Sequence, residues 1–186
     1  ADSASPGSDR IDLFGIEIST MRRAEIERRI VVHMSNSGRT LLHIATVNPE
    51  YVVAAHRNPA FCAALRNADL RLADGIGVVL AGRWLAGTAV ERFTGVELVQ
   101  WLLEDLERTP RVFLLGNAAS IADLQGRHPI RVVGRWGGGT PRPEDDDASI
   151  ERIRARDATV VLVGYGAPGQ VEWIERNRAA LKDAEV

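Results

Sequence analysis

The apolar positions along this chain change period repeatedly, and each change marks an element. Ile11–Ile18 alternates with polar residues and predicts a strand, after which Arg22–Met34 places Ala24, Ile26, Ile30, Val31 and Met34 at helical spacing. Asn36-Ser37-Gly38 marks a turn, and Leu41–Ala45 is a short apolar run with the makeup of a central strand. Asn48-Pro49 and Asn58-Pro59 both carry the chemistry of an N-cap followed by a first helical residue, so they start two helices, the second running through Leu65. Leu70–Ala73 predicts the end of a buried strand, and Ile76 onward a helix packed on a sheet. Thr94-Gly95-Val96-Glu97 matches a capping box and opens a helix to about Glu107. Arg111–Leu115 predicts a strand ending at Gly116-Asn117, followed by a short helix to about Gly126 and a strand over Ile130–Val133. Arg135–Asp147 is the one long loop, rich in Gly and Pro, and a helix over Ile150–Arg156 follows it. Ala158–Val163 is a strongly apolar strand, and Gly164–Gly169 then opens a helix to about Leu181.

Strands alternating with helices predict the α/β class, as a Rossmann-like three-layer sandwich with a mostly parallel central sheet. Thr46, Asp74, Gly116 and Gly164 all fall at strand ends. Parallel strands would put the four on one edge, which is the geometry of a single cleft.

Size and charge narrow the picture. The 186 residues suit a single α/β domain over 11–186, with residues 1–10 as a disordered leader that lacks a basic segment before an apolar run. A formal net charge of −2 without any Lys/Arg run excludes a nucleic-acid surface. The single cysteine, Cys62, forms no internal disulfide; its place in an apolar helical pattern predicts burial and fits a reducing cytoplasm. The richest apolar region, Ile76–Val90, is interrupted by Arg83 and three glycines, so it does not span a membrane. Arg83, Trp84 and Leu85 suit a subunit contact in a homo-oligomer, a lipid-facing surface or an internal position alike.

Asp74 is the first candidate for chemistry. Gly75 and Gly77 behind it let a substrate approach backbone N–H groups at a helix N-terminus, although Asp is also a preferred N-cap residue and suits that role alone. Asn48 likewise reads as a cap or a ligand contact, and Arg92 as a partner for an anionic ligand or for a surface carboxylate. Asp145, Asp146 and Asp147 formally satisfy an Asp-x-Asp metal pattern, but acidic residues before a helix are expected from its dipole, and no metal is assigned. Gly164-Tyr165-Gly166-Ala167-Pro168-Gly169 is literally G-x-G-x-x-G after a strand. Glu185 lies at about the distance of a ribose-binding acid, yet no apolar strand precedes it, so a diphosphate cradle fits better than a dinucleotide site.

Five ordered blocks carry a resemblance: H-I-A-T-V-N-P-E-Y-V-V-A-A (43–55), R-N-A-D-L-R-L-A-D-G-I-G-V-V-L-A (66–81), E-R-F-T-G-V-E-L (91–98), V-F-L-L-G (112–116) and V-L-V-G-Y-G-A-P-G-Q-V-E-W-I (161–174). Over roughly Ile11 to Arg178 the chain resembles the WecG/TagA/CpsF family of bacterial glycosyltransferases. The resemblance implies inverting transfer of N-acetylmannosamine or a related sugar from a UDP donor to an undecaprenyl-diphosphate-linked sugar, in cell-surface polysaccharide or teichoic acid synthesis. It implies Asp74 as general base, Thr46 and Asn48 around the sugar, and Arg92 and Gln170 from the R-x-T-G and G-x-P-x-Q blocks as substrate-binding residues. Gly75, Gly116, Gly164 and Gly166 supply backbone N–H groups beside them, and neither a cofactor nor a metal is called for. Where the family usually has Lys before and Glu after that Gln, this chain has Gly169 and Val171. The family also continues into an Arg-rich tail associated with membrane docking, whereas this sequence stops at Val186. The expected location is the cytoplasm, at the inner face of the cell membrane. A non-catalytic nucleotide-sugar binder and an NAD-dependent enzyme are the competing readings.

Overall fold

The computed structural model describes residues 9–36, 40–107, 109–116, 131–184 and 186. The chain forms two compact units, one of residues 1–38 and 42–98, the other of residues 39–41 and 99–186. Parallel strands with flanking helices in each unit give the mixed α/β, Rossmann-like class expected from the alternation.

The first unit opens with an antiparallel hairpin of β1 (Arg10–Leu13) and β2 (Ile16–Ser19), where a single strand was expected. Phe14 (φ 57°) and Gly15 (φ 82°) reverse the chain in the left-handed region, and Asp12 accepts the Gly15 N–H at 2.9 Å. Alternation predicts the same face of both arms and is silent about a two-residue reversal between them. Arg10 lies in β1, so the strand reaches into the expected leader, of which residues 1–8 lie outside the described set.

Helix α1 (Arg23–Ser35) buries Ile26 and Ile30, one turn apart. β3 spans Ile44–Val47, three residues later than the apolar run suggested; Leu41 packs instead among core residues of the second unit. β3 pairs in parallel with β4 (Leu70–Ala73), joined through α2 (Pro49–Arg57) and α3 (Pro59–Arg66). Both helices start as expected: the Asn48 side chain accepts the Tyr51 N–H, and Asn58 accepts those of Ala60 and Phe61. Cys62, on α3, is a free and half-buried thiol, less enclosed than its apolar neighbours implied, because α3 turns Phe61, Ala64 and Leu65 inward instead.

One buried polar side chain ties this unit together. Arg71 of β4 is only 3% exposed, and its guanidinium donates to the carbonyls of Glu17 (2.5 Å), Leu65 (3.4 Å), Arg66 (2.8 Å) and Ala68, and to the Glu17 carboxylate (3.2 Å). Burial, and then the neighbouring Arg10, lower its pKa, against which the Glu17 and Asp69 carboxylates act in part. Helix α4 (Ile76–Leu85) follows β4, and α5 (Gly95–Gln100) opens on the expected capping box. The chain then widens into a π-helical turn over Trp101–Asp105, two residues short of the expected helix end. Arg131 explains the stop, since its guanidinium donates to the carbonyls of Leu102 (2.9 Å) and Leu106 (2.8 Å).

In the second unit β5 (Val112–Gly116) is central, paired in parallel with β6 (Val132–Trp136) and β7 (Val160–Gly164). β5 is buried along its length: Phe113 and Leu115 join Ile150, Ile153, Trp173 and Leu181, while Val112 and Leu114 join Leu103 and Val132. The register of β6 shifts at Val112/Phe113. There a Cβ on Gly134 would stand 2.8 Å from the Phe113 ring. β6 extends to Trp136 and α6 (Asp146–Arg154) begins early, so the long loop is shorter than expected. The final helix is split at Asn177 into α7 (Gly169–Arg176) and α8 (Arg178–Asp183). The expected turn at Ser37-Gly38, the helix to Gly126, Ile130 and Glu185 lie outside the described residues.

Candidate active site

At the carboxyl ends of β3 and β4 the first unit gathers Thr46, Asn48, Asp74 and Arg92. The Asp74 N–H donates to the Val47 carbonyl (2.8 Å), so the parallel ladder continues one residue past the strand. Arg92 is bridged in parallel to Ala73, with the Phe93 N–H donating to the Ala73 carbonyl (3.0 Å). Three chain segments therefore end side by side at one edge.

The Asp74 carboxylate does not cap its own helix. α4 is capped by Gly75, whose φ of 112° only glycine adopts without strain, and no side chain bonds its N-terminal amides. Oδ2 of Asp74 instead accepts the Gly95 N–H at 3.1 Å, at the first residue of α5. Thr46 converges on the same spot, because a Cβ on Gly95 would lie 3.2 Å from Thr46 Oγ1 and 3.7 Å from Asp74 Oδ2. A hydroxyl and a carboxylate thus flank a backbone amide at a helix N-terminus, with the exposed Arg92 two residues before the cap Thr94.

The cap is itself tightly held. The Thr94 hydroxyl and N–H donate to Glu97 Oε2 at 2.6 and 2.9 Å, and the Glu97 N–H returns a bond to Thr94 Oγ1 at 3.1 Å. The Thr94 hydroxyl, then its N–H, holds the Glu97 carboxyl below the usual range, and Arg92 and Arg23 add to the effect. Asn48 serves α2, accepting the Tyr51 N–H through Oδ1 at 3.0 Å. It therefore caps its helix as the sequence allowed.

Gly116, Gly164, Gly166 and Gln170 belong to the second unit. Gly116 and Gly164 are paired at the ends of β5 and β7, and a Cβ on Gly116 (φ 144°) would stand 2.5 Å from the Gly164 carbonyl oxygen. Gly166 (φ 79°) turns the chain ahead of a cis Ala167-Pro168 bond. Gln170 closes this turn twice: its Oε1 accepts the Gly166 N–H and its own N–H donates to the Gly166 carbonyl, both at 3.0 Å. Gln170 therefore shapes the turn, and the Gly166 N–H is already engaged.

Residues 11–186 match the sequence profile of the glycosyl transferase WecG/TagA/CpsF family. The chain belongs to this family. Similar curated proteins include those of Staphylococcus aureus strains COL and MRSA252, both named N-acetylglucosaminyldiphosphoundecaprenol N-acetyl-beta-D-mannosaminyltransferase. Each is 28% identical over 171 residues, which cover 89% of this chain and 66% of the relative. The chain spans just under two thirds of the length of these relatives.

In this WecG/TagA/CpsF chain the acidic run before α6 is already engaged. Asp145 accepts the Thr140 N–H and hydroxyl at 2.8 and 2.7 Å, which hold its carboxyl low, and Asp146 pairs with Arg176 at 2.5 and 2.8 Å. The G-x-G-x-x-G match also has a packing explanation. Gly164 closes on Gly116, Gly166 takes a positive φ, and a Cβ on Gly169 would meet Pro141 at 2.9 Å. No strand follows β7 among the described residues, so the acidic-ended second strand of a dinucleotide unit is not found there. Gly95 is the site residue that sequence reasoning missed. Its signal was the glycine directly after the cap in the Arg-x-Thr-Gly block, read only as part of a capping box.

Proposed function

We propose that this protein is an inverting glycosyltransferase that moves N-acetylmannosamine or a related sugar from a UDP donor to an undecaprenyl-diphosphate-linked sugar. The observation that carries the reading is the Asp74 carboxylate at the end of β4, turned away from its own helix and held through one oxygen by Gly95, beside Thr46 and Arg92. The family membership and the relatives' names support it.

In this mechanism the acceptor hydroxyl oxygen attacks the anomeric carbon, and its proton passes to Asp74. The bond from that carbon to the diphosphate oxygen breaks with its electron pair, releasing UDP from the opposite face and inverting the configuration. Proton removal by a positioned carboxylate contributes roughly a hundred- to ten-thousandfold. The Gly95 bond fixes Asp74 Oδ2 and leaves Oδ1 to take the proton. Thr46 and the Asn48 side-chain amide orient sugar hydroxyls, and Arg92 supplies positive charge for the departing diphosphate. Gln170 acts as a positioning residue for the turn at Gly164–Gly169.

The test is UDP release from UDP-N-acetylmannosamine in the presence of a lipid-linked N-acetylglucosamine analogue. Turnover that Asp74→Asn abolishes supports the reading. Equal turnover in that variant removes the base assignment, and UDP binding without release marks a nucleotide-sugar binder.

A further inference from the structure

Arg92 reaches the strand ends on an extended stretch, residues 91–93, that is bridged in parallel to Ala73. Successive side chains of extended backbone leave on opposite sides, so Glu91 and Phe93 share one side and Arg92 takes the other. One residue of a distant helix engages both members of that pair. At the first residue of α1 the Arg23 N–H donates to Glu91 Oε2 at 2.9 Å, across 68 residues of chain. The Arg23 guanidinium lies over the Phe93 ring, 4.8 Å from its centroid, and Phe93 is fully enclosed.

Each contact has an electrostatic reason. Glu91 sets a carboxylate against the positive end of α1, where the first amides lack partners within the helix. The Phe93 ring offers its negative face to a cation. Glu27, one turn along α1, accepts from Arg23 Nε at 2.7 Å and holds the guanidinium in that pose. On the sheet side the Phe93 N–H donates to the Ala73 carbonyl at 3.0 Å. Arg92 is thus the middle residue of a stretch gripped by β4 through its backbone and by α1 through both neighbours. A long side chain that must meet an anion loses less freedom on binding when its root is already fixed.

We propose that Arg23, acting through Glu91 and Phe93, is a positioning residue that aims Arg92 at the diphosphate of the nucleotide. The ligand of Arg92 rests on the transferase reading above, whereas the grip of Arg23 on residues 91–93 stands on the contacts alone.

The full chain is followed by amide hydrogen exchange without ligand and by calorimetric titration with UDP. In Arg23→Met and in Glu91→Ala the Phe93 N–H should exchange about tenfold faster, while the Asp74 N–H, bonded to the Val47 carbonyl, stays within about twofold of wild type. UDP affinity should fall about three- to tenfold in each variant, and Arg23→Lys, which keeps a cation over the ring, should hold within about twofold. On an Arg92→Ala background Arg23→Met should weaken UDP no further, a coupling that general support of the fold would not produce. Unchanged exchange at Phe93, or an equal added loss of affinity on the Arg92→Ala background, overturns the proposal. Faster exchange at Phe93 beside UDP binding that Arg92→Ala leaves intact is a different result: it sinks the diphosphate role of Arg92 in the transferase reading and leaves the grip of Arg23 standing. A wild type that does not bind UDP sinks both the aim at a diphosphate and that reading.

Discussion

Asp74 and Gly95 stand 21 residues apart in sequence and are joined by a 3.1 Å hydrogen bond from the Gly95 N–H to the Asp74 carboxylate. That bond couples the end of β4 to the start of α5 and fixes the acid's rotamer. It also makes geometry and chemistry separable. Asp74→Asn keeps an acceptor oxygen for Gly95 but loses the base, so UDP release should fall by at least about a hundredfold. The thermal midpoint, read by circular dichroism, should move by no more than a few degrees.

Gly95→Ala probes the same junction from the other side. The new methyl would press on Thr46 Oγ1 at 3.2 Å, while Asp74 Oδ2 stays at an ordinary 3.7 Å, so the Thr46 hydroxyl must give way. Because Ala is otherwise a good helix residue, the fold should survive while turnover drops about tenfold or more. Unchanged kinetics would show that the spacing around Gly95 is not critical.

At the ends of β5 and β7 the two glycines are not equivalent. Gly116→Ala places a methyl 2.5 Å from the Gly164 oxygen at a φ of 144°, and should cost roughly 2–4 kcal/mol in urea unfolding followed by tryptophan fluorescence. Gly164→Ala meets only the Leu115 oxygen at an ordinary 3.7 Å, and should cost about 1 kcal/mol or less.

Tyr165 predicts an alkaline effect. Its hydroxyl is buried without a hydrogen-bond partner, and burial, then Asp145 and Asp146, push its pKa up to about 12. Between the unfolded value near 10 and that value the folded state holds the proton more tightly, so stability should decline as pH rises through this window. Tyr165→Phe should flatten the decline in pH-dependent melts and cost little at neutral pH, since no bond is broken.

Glu97 should act at the acid end. Its carboxyl is held below the ordinary glutamate value of 4.5, so its stabilising share is present above that pH and is lost as pH falls through the lower folded value. Glu97→Gln should remove that portion of the acid dependence, and Thr94→Ala should cost about 1 kcal/mol by deleting the cap. Both are measured by chemical denaturation from pH 3 to pH 7.

Local chemistry was the part of this protein most readable in its sequence. Asn48, Asn58 and the Thr94–Glu97 box act within a few residues, and each caps the helix assigned to it. Hydrophobic period likewise gave β4, β5 and β7 nearly to their ends. What escaped depends on distant partners. The π-helical turn after Gln100 is stabilised by Arg131, the register shift in β6 by Gly134 against Phe113, and the orientation of Asp74 by Gly95. The hairpin at Phe14-Gly15 was missed for another reason: alternation continues through a reversal that needs only two residues at positive φ. Gln170 was assigned to the substrate from its block, while its hydrogen bonds to Gly166 show it also shaping its own loop.

The carbonyl cage around Arg71 sets a rule for anyone trimming the N-terminal end of this protein. Glu17 provides two of the guanidinium's acceptors, so a fragment starting after β2 would leave a cation stranded inside the first unit with its solvation half stripped away. Such a fragment should misbehave in expression however well its strand-end cluster is preserved, and Arg71→Met should be the substitution that rescues it.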